Sequence, residues 1–181
     1  MNFANEIKSS FHLFKESRKE LKKVSSLVGT SLLTALNIVV GSISIKITPM
    51  IKIGFSSVIA GVCGMYYGPI ATGLAGVIAD NLKFMLFPDG PYFPGFTLNE
   101  FVVGIIYGSF FYKKEITLPR VMIARALVTI IVNLGLTSLW LNILYQNPIF
   151  TTVRLLKNVI MYPIDVAILY FVLKTAKRIH K

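Results

Sequence analysis

Residues 53–87 read IGFSSVIAGVCGMYYGPIATGLAGVIADNLKFMLF. The run is apolar on both sides of Gly68-Pro69. Proline lacks a backbone N–H and disfavours helix in the residue before it, and glycine accepts the turn. The stretch therefore reads as two spans, Ile53–Tyr67 and Pro69–Phe87, folded back on each other, and not as one long helix. A chain that reverses inside an apolar run is crossing a bilayer, where helices satisfy their own backbone.

The rest of the chain agrees. It has 181 residues, is 54% apolar with mean hydropathy +0.67, and only 15% of its residues are charged. A net charge of +11 would suggest nucleic acid on a soluble protein. Here six of nineteen Lys/Arg precede Val24 and four lie from Lys174 onward, so the charge sits at the ends and no nucleic-acid role follows. Uncharged or nearly uncharged runs mark further crossings at Val24–Ile45, Thr97–Tyr112, Leu118–Tyr145 and Thr151–Lys174. The expectation is an all-α integral membrane protein with six transmembrane helices. The fifth is long enough to be tilted.

Residues 1–23 lack the apolar core and cleavage site of a signal peptide. Phe3, Ile7, Phe11 and Phe14 recur at helical spacing among cations, as in a basic amphipathic helix lying on headgroups. The domain reading is 1–23 as a basic amphipathic cytoplasmic segment, 24–174 as the membrane domain and 175–181 as a basic cytoplasmic tail. Segments on the side of the N-terminus hold thirteen Lys/Arg, while the opposite loops hold only Lys46 and Lys52. The positive-inside rule then puts both termini in the cytoplasm. SIKITPMIKIGF (44–55) and FPDGPYFPGF (87–96) face outward. The first has the alternation of an extended or hairpin-like cap. The second is stiffened by prolines and rich in aromatics. No lipoprotein signal or outer-membrane strand pattern is present, so the location expected is a cell membrane.

Several chemistries find no support. There is no Walker A sequence and no dinucleotide fingerprint after a strand. His12 and His180 sit in the tails, no Cys/His cluster offers a metal site, and no histidine lies in a span to serve as a base. The reading is a non-enzyme with no cofactor or metal. Cys63 is alone in an apolar run and reads as packing filler. Ala71, Ala75 and Ala79, then Ala60, Gly64 and Gly68, then Gly104 and Gly108 recur every fourth position, the spacing of close helix packing in lipid. Ser31 and Ala35 form a similar pair on the first span. That pair fits an internal neighbour or an external subunit equally well.

Polar groups within spans are costly and usually face a cavity or partner. Arg154, Asn158, Met161 and Asp165 share one face of the last span, with Lys157 beside Arg154. Asn133, Thr137 and Trp140 share a face of the fifth span, with Tyr145 above. Asp80, Phe84 and Phe87 form a stripe on the third, with Lys83 beside it, leading into the aromatic loop with Tyr92, Phe93 and Phe96. The competing reading is that the cations snorkel to headgroups and the aromatics form an interfacial belt. A belt does not require Asn133 or Asp80 at depth. The set suits a flat aromatic ligand with an anionic end: rings stack, amides and a carboxylate read the polar edge, and cations hold the acid groups.

ALNIVVGSISIKITPMIKIGF, then GMYYGPIATGLAGVIADNLKFMLFPDGPYFPGFTLNEFVVGIIYG, then NLGLTSLWLNILY and RLLKN resemble the folate-specific substrate-binding (S) components of energy-coupling factor (ECF) transporters. The likeness runs from about Ser25 to about Lys174. It implies a six-helix bundle that takes folate or a related pterin from outside, through the loops after the first and third helices. It implies membrane partners, a transmembrane coupling subunit and two ATPase subunits, which supply the energy in a bacterial cell membrane. It also implies that the bundle topples in the bilayer to release its substrate. The family's first helix carries an Ala-x-x-x-Ala pair that meets the coupling subunit; Ser31 and Ala35 are the nearest match, departing at the first position. Carry-over of ligand contacts is best for the 92–97 loop and for Arg154 and Lys157. The alternatives are an S component for another vitamin such as riboflavin, a stand-alone secondary transporter, or a structural membrane subunit. Cationic thiamine fits Arg154 and Lys157 poorly, and no internal repeat supports a secondary transporter.

Overall fold

The computed structural model describes residues 13–42, 45–48, 51–53, 55–88, 90–145 and 152–179. Val24–Ser42 forms α1 without an internal glycine-proline break. Its buried face is Ser26, Thr30, Thr34 and Asn37, while Val28, Leu32 and Val39 are exposed. Hydroxyls inward and aliphatics outward is the polarity of a helix with lipid at its back. Isoleucine-rich strands Ile45–Thr48 (β1) and Ile51–Ile53 (β2) follow as an antiparallel pair, with Lys46 opposite Lys52. The extended cap expected after the first span is thus a hairpin, and α1 ends three residues before the expected Ile45.

Ser56–Leu86 is one run of helical hydrogen bonding, but Gly68 sits at φ 78°, ψ −175° and splits it. We call its arms α2 (residues 56–67) and α3 (residues 69–86). They fold back on each other: Ile59 and Ala60 of α2 line the same cleft as Ala75 and Gly76 of α3. The reversal read from Gly68-Pro69 is present. The loop after α3 is shorter than FPDGPYFPGF suggests, because Pro94 takes the first turn of α4 (Pro94–Phe111) after an extended Phe93. The fourth span therefore starts before the expected Thr97.

The fifth span, α5 (residues 118–145), is not uniform. It is α-helical over Leu118–Leu127, π-helical over Val128–Leu136 and α-helical again over Thr137–Tyr145. The Thr137 N–H reaches the Val132 carbonyl, five residues back. Finally α6 runs Thr152–Ile179, past the expected end at Lys174. Lys177 and Arg178 in its last turn suit the negative end of the helix dipole, and Lys177 pairs with Glu115 at 3.0 Å. Four helical runs are long and apolar enough to cross a membrane by length and composition: Val24–Ser42, Ser56–Leu86, Leu118–Leu144 and Asn158–Ile179. With Ser56–Leu86 divided at Gly68 and α4 added, the bundle has six helices.

Gly64, Gly104 and Gly108 lie where backbones meet. A Cβ on Gly104 would strike Gly73, and one on Gly108 would strike Pro69. Around this close α3–α4 seam, Tyr107, Phe111, Val121, Ala124, Leu169 and Leu173 form the core of α4, α5 and α6. One ion pair lies inside it. Arg125 donates to Asp165 and, at 3.2 Å, to the Tyr107 hydroxyl, joining the three helices.

At the basic end a short helix over residues 13–20 covers the Gly68 corner. Ser17 is fully buried there. Its hydroxyl donates to the Tyr67 carbonyl at 2.9 Å and accepts from the Ile70 N–H at 3.0 Å. Hydrogen bonds from Lys23 and Ser26 hold the Glu20 carboxyl below its ordinary range. Lys113 donates to Glu16 at 3.1 Å, closing the same end onto the loop after α4. The described part of the N-terminal segment is thus a plug as well as a charged surface; Phe3, Ile7 and Phe11 lie outside the described residues.

A Cβ on Gly68 would sit 2.8 Å from Ser17 and 3.2 Å from Tyr112, in a left-handed backbone. Gly68→Ala should lower the thermal midpoint in detergent, since the backbone term alone is about 1–2 kcal/mol. Ser17→Ala, which loses hydrogen bonds of about 1 kcal/mol net, should lower it less. Wild-type midpoints in both variants would show that the corner is not a stabilising constraint.

Candidate substrate-binding site

At the end opposite this plug, α3 and α4 run antiparallel into the aromatic loop. Asp80 accepts from Thr97 at 2.7 Å, bracing the two helices just below the loop. One turn higher on α3, Lys83 donates to Asn37 of α1 at 3.1 Å, and Asn37 donates to the Ser56 carbonyl at 3.3 Å. Lys83 thus bridges α3 to α1 beneath the hairpin. Below it, a cleft between α1, α2, α3 and α4 is lined by Thr34, Asn37, Cys63, Thr72 and Glu100 among apolar and small residues.

The loop aromatics divide into two pairs of contacts. Tyr92 packs at a tilt against Phe84, with ring centroids 5.1 Å apart, and donates to Asn81 at 2.9 Å, pinning the loop to α3. Phe93 lies between Phe96, at 6.0 Å, and Trp140 of α5, at 5.5 Å. Phe87 is exposed and closes the last turn of α3 through its N–H to the Lys83 carbonyl. Between the two helices Asn99 is buried. Its amide donates to Thr137 at 3.0 Å and accepts from the Trp140 indole at 3.0 Å. A carboxamide suits this role because it offers both a donor and an acceptor.

The sequence-derived site residues are therefore distributed as follows. Asp80, Lys83, Phe84, Tyr92, Phe93, Phe96, Thr137 and Trp140 converge at the loop end of α3, α4 and α5. Asn133 lies half-buried within the π-helical turn segment, and Asn158 is half-buried on α6. Arg154 and Lys157 belong to the helical backbone of α6, but their side chains lie outside the described residues, as does that of Tyr145. Asp165 leaves the stripe read on the last span, since Arg125 binds it in the core. Ser31 and Ala35 are both exposed on α1.

A profile of the family described as "ECF transporter, substrate-specific component" matches residues 25–175. The chain belongs to this family. As an ECF substrate-specific component it has well-matched relatives. It is 39% identical over 162 residues to a folate transporter FolT of Clostridium novyi, covering 88% of this chain and 94% of the relative. To a FolT of Leuconostoc mesenteroides it is 32% identical over 151 residues, covering 79% and 81%. It is also similar to a crystal structure of FolT bound with folic acid, at TM-score 0.78 and 38% identity, covering 83% of this chain and 94% of that one.

Two residues of this substrate-specific component carry little signal in the sequence. Asn37 and Asn99 are buried amides on helices whose neighbours are hydrophobic; an amide in a span was their only signal. Asn99 should act as a positioning residue for the single tryptophan. In Asn99→Ala the indole loses its acceptor, so the steady-state anisotropy of Trp140 fluorescence should fall. Asn99→Asp keeps an acceptor and should restore it. An unchanged anisotropy in Asn99→Ala would mean that packing against Phe93 alone fixes the ring.

Proposed function

We infer that this substrate-specific component binds folate or a related pterin and delivers it to an ECF importer. The observation that carries the reading is the convergence of Phe93, Trp140 and the polar bridges of Asp80, Lys83 and Asn99 at one end of the bundle. The relatives named FolT, and the FolT structure bound with folic acid, support it. Phe93 and Trp140 offer flat faces for a ring system. Lys83, with Arg154 and Lys157 of α6, supplies positive charge for the carboxylates of the glutamate tail. Phe84, Phe87, Tyr92, Phe96, Asn133, Thr137 and Asn158 complete the set of binding residues.

The concentration of Lys/Arg at the other end puts both termini in the cytoplasm and the aromatic loop outside. Residues 1–23 and 175–181 are then cytoplasmic segments flanking the membrane domain, 24–174, in a bacterial cell membrane. Its work is binding, and energy comes from a transmembrane coupling subunit with two ATPase subunits. Ser31 and Ala35 on the outward face of α1, beside exposed Val28 and Leu32, form a small-residue strip on which a helix of that coupling subunit can close.

Folate titrated into the purified chain in detergent should quench Trp140 fluorescence saturably without nucleotide, and the chain should hydrolyse no ATP. Riboflavin and thiamine should not compete. A lack of saturable folate binding, or equal competition by riboflavin, would sink the assignment. Trp at position 31 or 35 should leave this quenching intact and reduce folate uptake by the assembled complex. Normal uptake by both variants would move the docking face elsewhere.

A further inference from the structure

Glu100 is the carboxyl group of the cleft below the aromatic loop, and the site described above does not use it. It lies six residues into α4, about 9 Å down the helix from Pro94. At this level α3 and α4 touch through their backbones: a Cβ on Gly76 would meet the Glu100 carbonyl at 2.8 Å. The seam is too tight to hold the Glu100 side chain, which lines the cleft with Leu33, Thr34, Asn37, Cys63 and Thr72.

The other polar groups there already have partners. Thr34 donates to the Thr30 carbonyl at 2.8 Å, and Thr72 to the Gly68 carbonyl at 2.8 Å. Asn37 is engaged at both ends of its amide, by Lys83 and by the Ser56 carbonyl. Asp80, the nearby acid, accepts from Thr97. Among the described residues no hydrogen bond engages the Glu100 carboxyl, and Lys83 is the cation whose field reaches it. A carboxyl group inside a membrane bundle without donors is costly to keep, and such groups mark sites for a ligand.

The missing partner can be specified by chemistry. A carboxylate accepts two parallel N–H bonds in one plane. Taking the folate reading of the site as given, a 2-amino-4-oxopteridine carries that pair on one edge, the ring N3–H and the exocyclic 2-amino group. We propose that Glu100 is the specificity-determining residue for the pterin, accepting from N3–H and the 2-amino group in the cleft. The cleft now has room for about one water, so it widens to admit the ring, and the rest of the ligand rises toward Lys83 and the Phe93–Trp140 pair.

A ligand-and-protein double cycle tests this. Binding of folate and of an analogue whose 2-amino group is replaced by methyl is measured in the wild type, Glu100→Gln and Glu100→Ala. Loss of a charge-assisted bond should weaken the analogue roughly 10- to 100-fold in the wild type. In Glu100→Ala the penalty for losing the amino group should shrink to within about threefold, because the edge no longer has its acceptor, and in Glu100→Gln, whose amide oxygen still accepts, it should fall between. Thermal midpoints of the ligand-free variants check folding, and the Ala variant keeps the test valid if Gln accepts one bond. The same penalty in all three proteins, with folate binding intact in the wild type, would overturn Glu100 alone. A wild type that fails to bind folate would overturn the folate reading along with it.

Discussion

The left-handed backbone at Gly68 is the constraint on which the rest of the bundle depends. It converts one 31-residue helical run into two arms that face each other. Only then can α3 lie antiparallel to α4 with Gly73 against Gly104 and Pro69 against Gly108. That contact in turn sets the heights of Asp80, Lys83 and Glu100 relative to Thr97 and Asn99. Ser17 completes the corner from outside by satisfying Tyr67 and Ile70, the backbone groups that a helix break exposes. The site at one end of the molecule therefore rests on a turn at the other.

Polarity in this bundle runs opposite to that of a water-soluble helix pack on one side and parallel to it on another. On α1 the inward face is Ser26, Thr30, Thr34 and Asn37, and the aliphatic residues point away. On α4, α5 and α6 the inward face is apolar and aromatic, built on Tyr107, Phe111, Val128 and Leu169. The Arg125–Asp165 pair is enclosed within that second half, with the Tyr107 hydroxyl as a further partner. A buried pair of this kind fixes which helices meet more than it adds stability. The bundle thus has an apolar half, where α4–α6 pack with Val58 and Met65 of α2, and a half in which α1 meets α2 and α3 through hydroxyls and a lined cleft.

Much of this was legible in the sequence for physical reasons. Gly68-Pro69 can be read as a reversal because no other conformation suits both residues inside an apolar run. The glycine and alanine repeats name the close seams, since only small side chains let backbones touch. Phe93, from the loop after α3, and Trp140, from the fifth span, could be grouped because both sit near one membrane face. What stayed hidden depends on rotation about a helix axis. Asp165 shares a face with Asn158 in α-helical projection, yet Arg125 claims it from across the core. Asn99 and Glu100 are adjacent in sequence and serve different neighbours, one toward α5 and one toward the cleft, which no periodicity on α4 alone distinguishes. The start of α4 moved to Pro94 because proline at a first helical position looks like a loop residue when read beside Pro88 and Pro91.

The π-helical segment of α5 has a consequence for how this chain can change length. Each residue there advances the helix by a smaller angle than an α residue does, so Val128–Leu136 works as a phase shifter between Arg125 and Trp140. Val132 and Ser138 are both buried while Leu139 is exposed; an α-helix continued from Val132 would turn Leu136 and Leu139 inward instead. The same nine residues at ordinary α pitch would swing Trp140 off Asn99, although Arg125 kept its partner. Adding or removing a residue without a matching change of pitch would do the same. The two ends of α5 are each anchored to different neighbours, so the number of residues between them is itself a specified quantity, as fixed as the identity of the anchors.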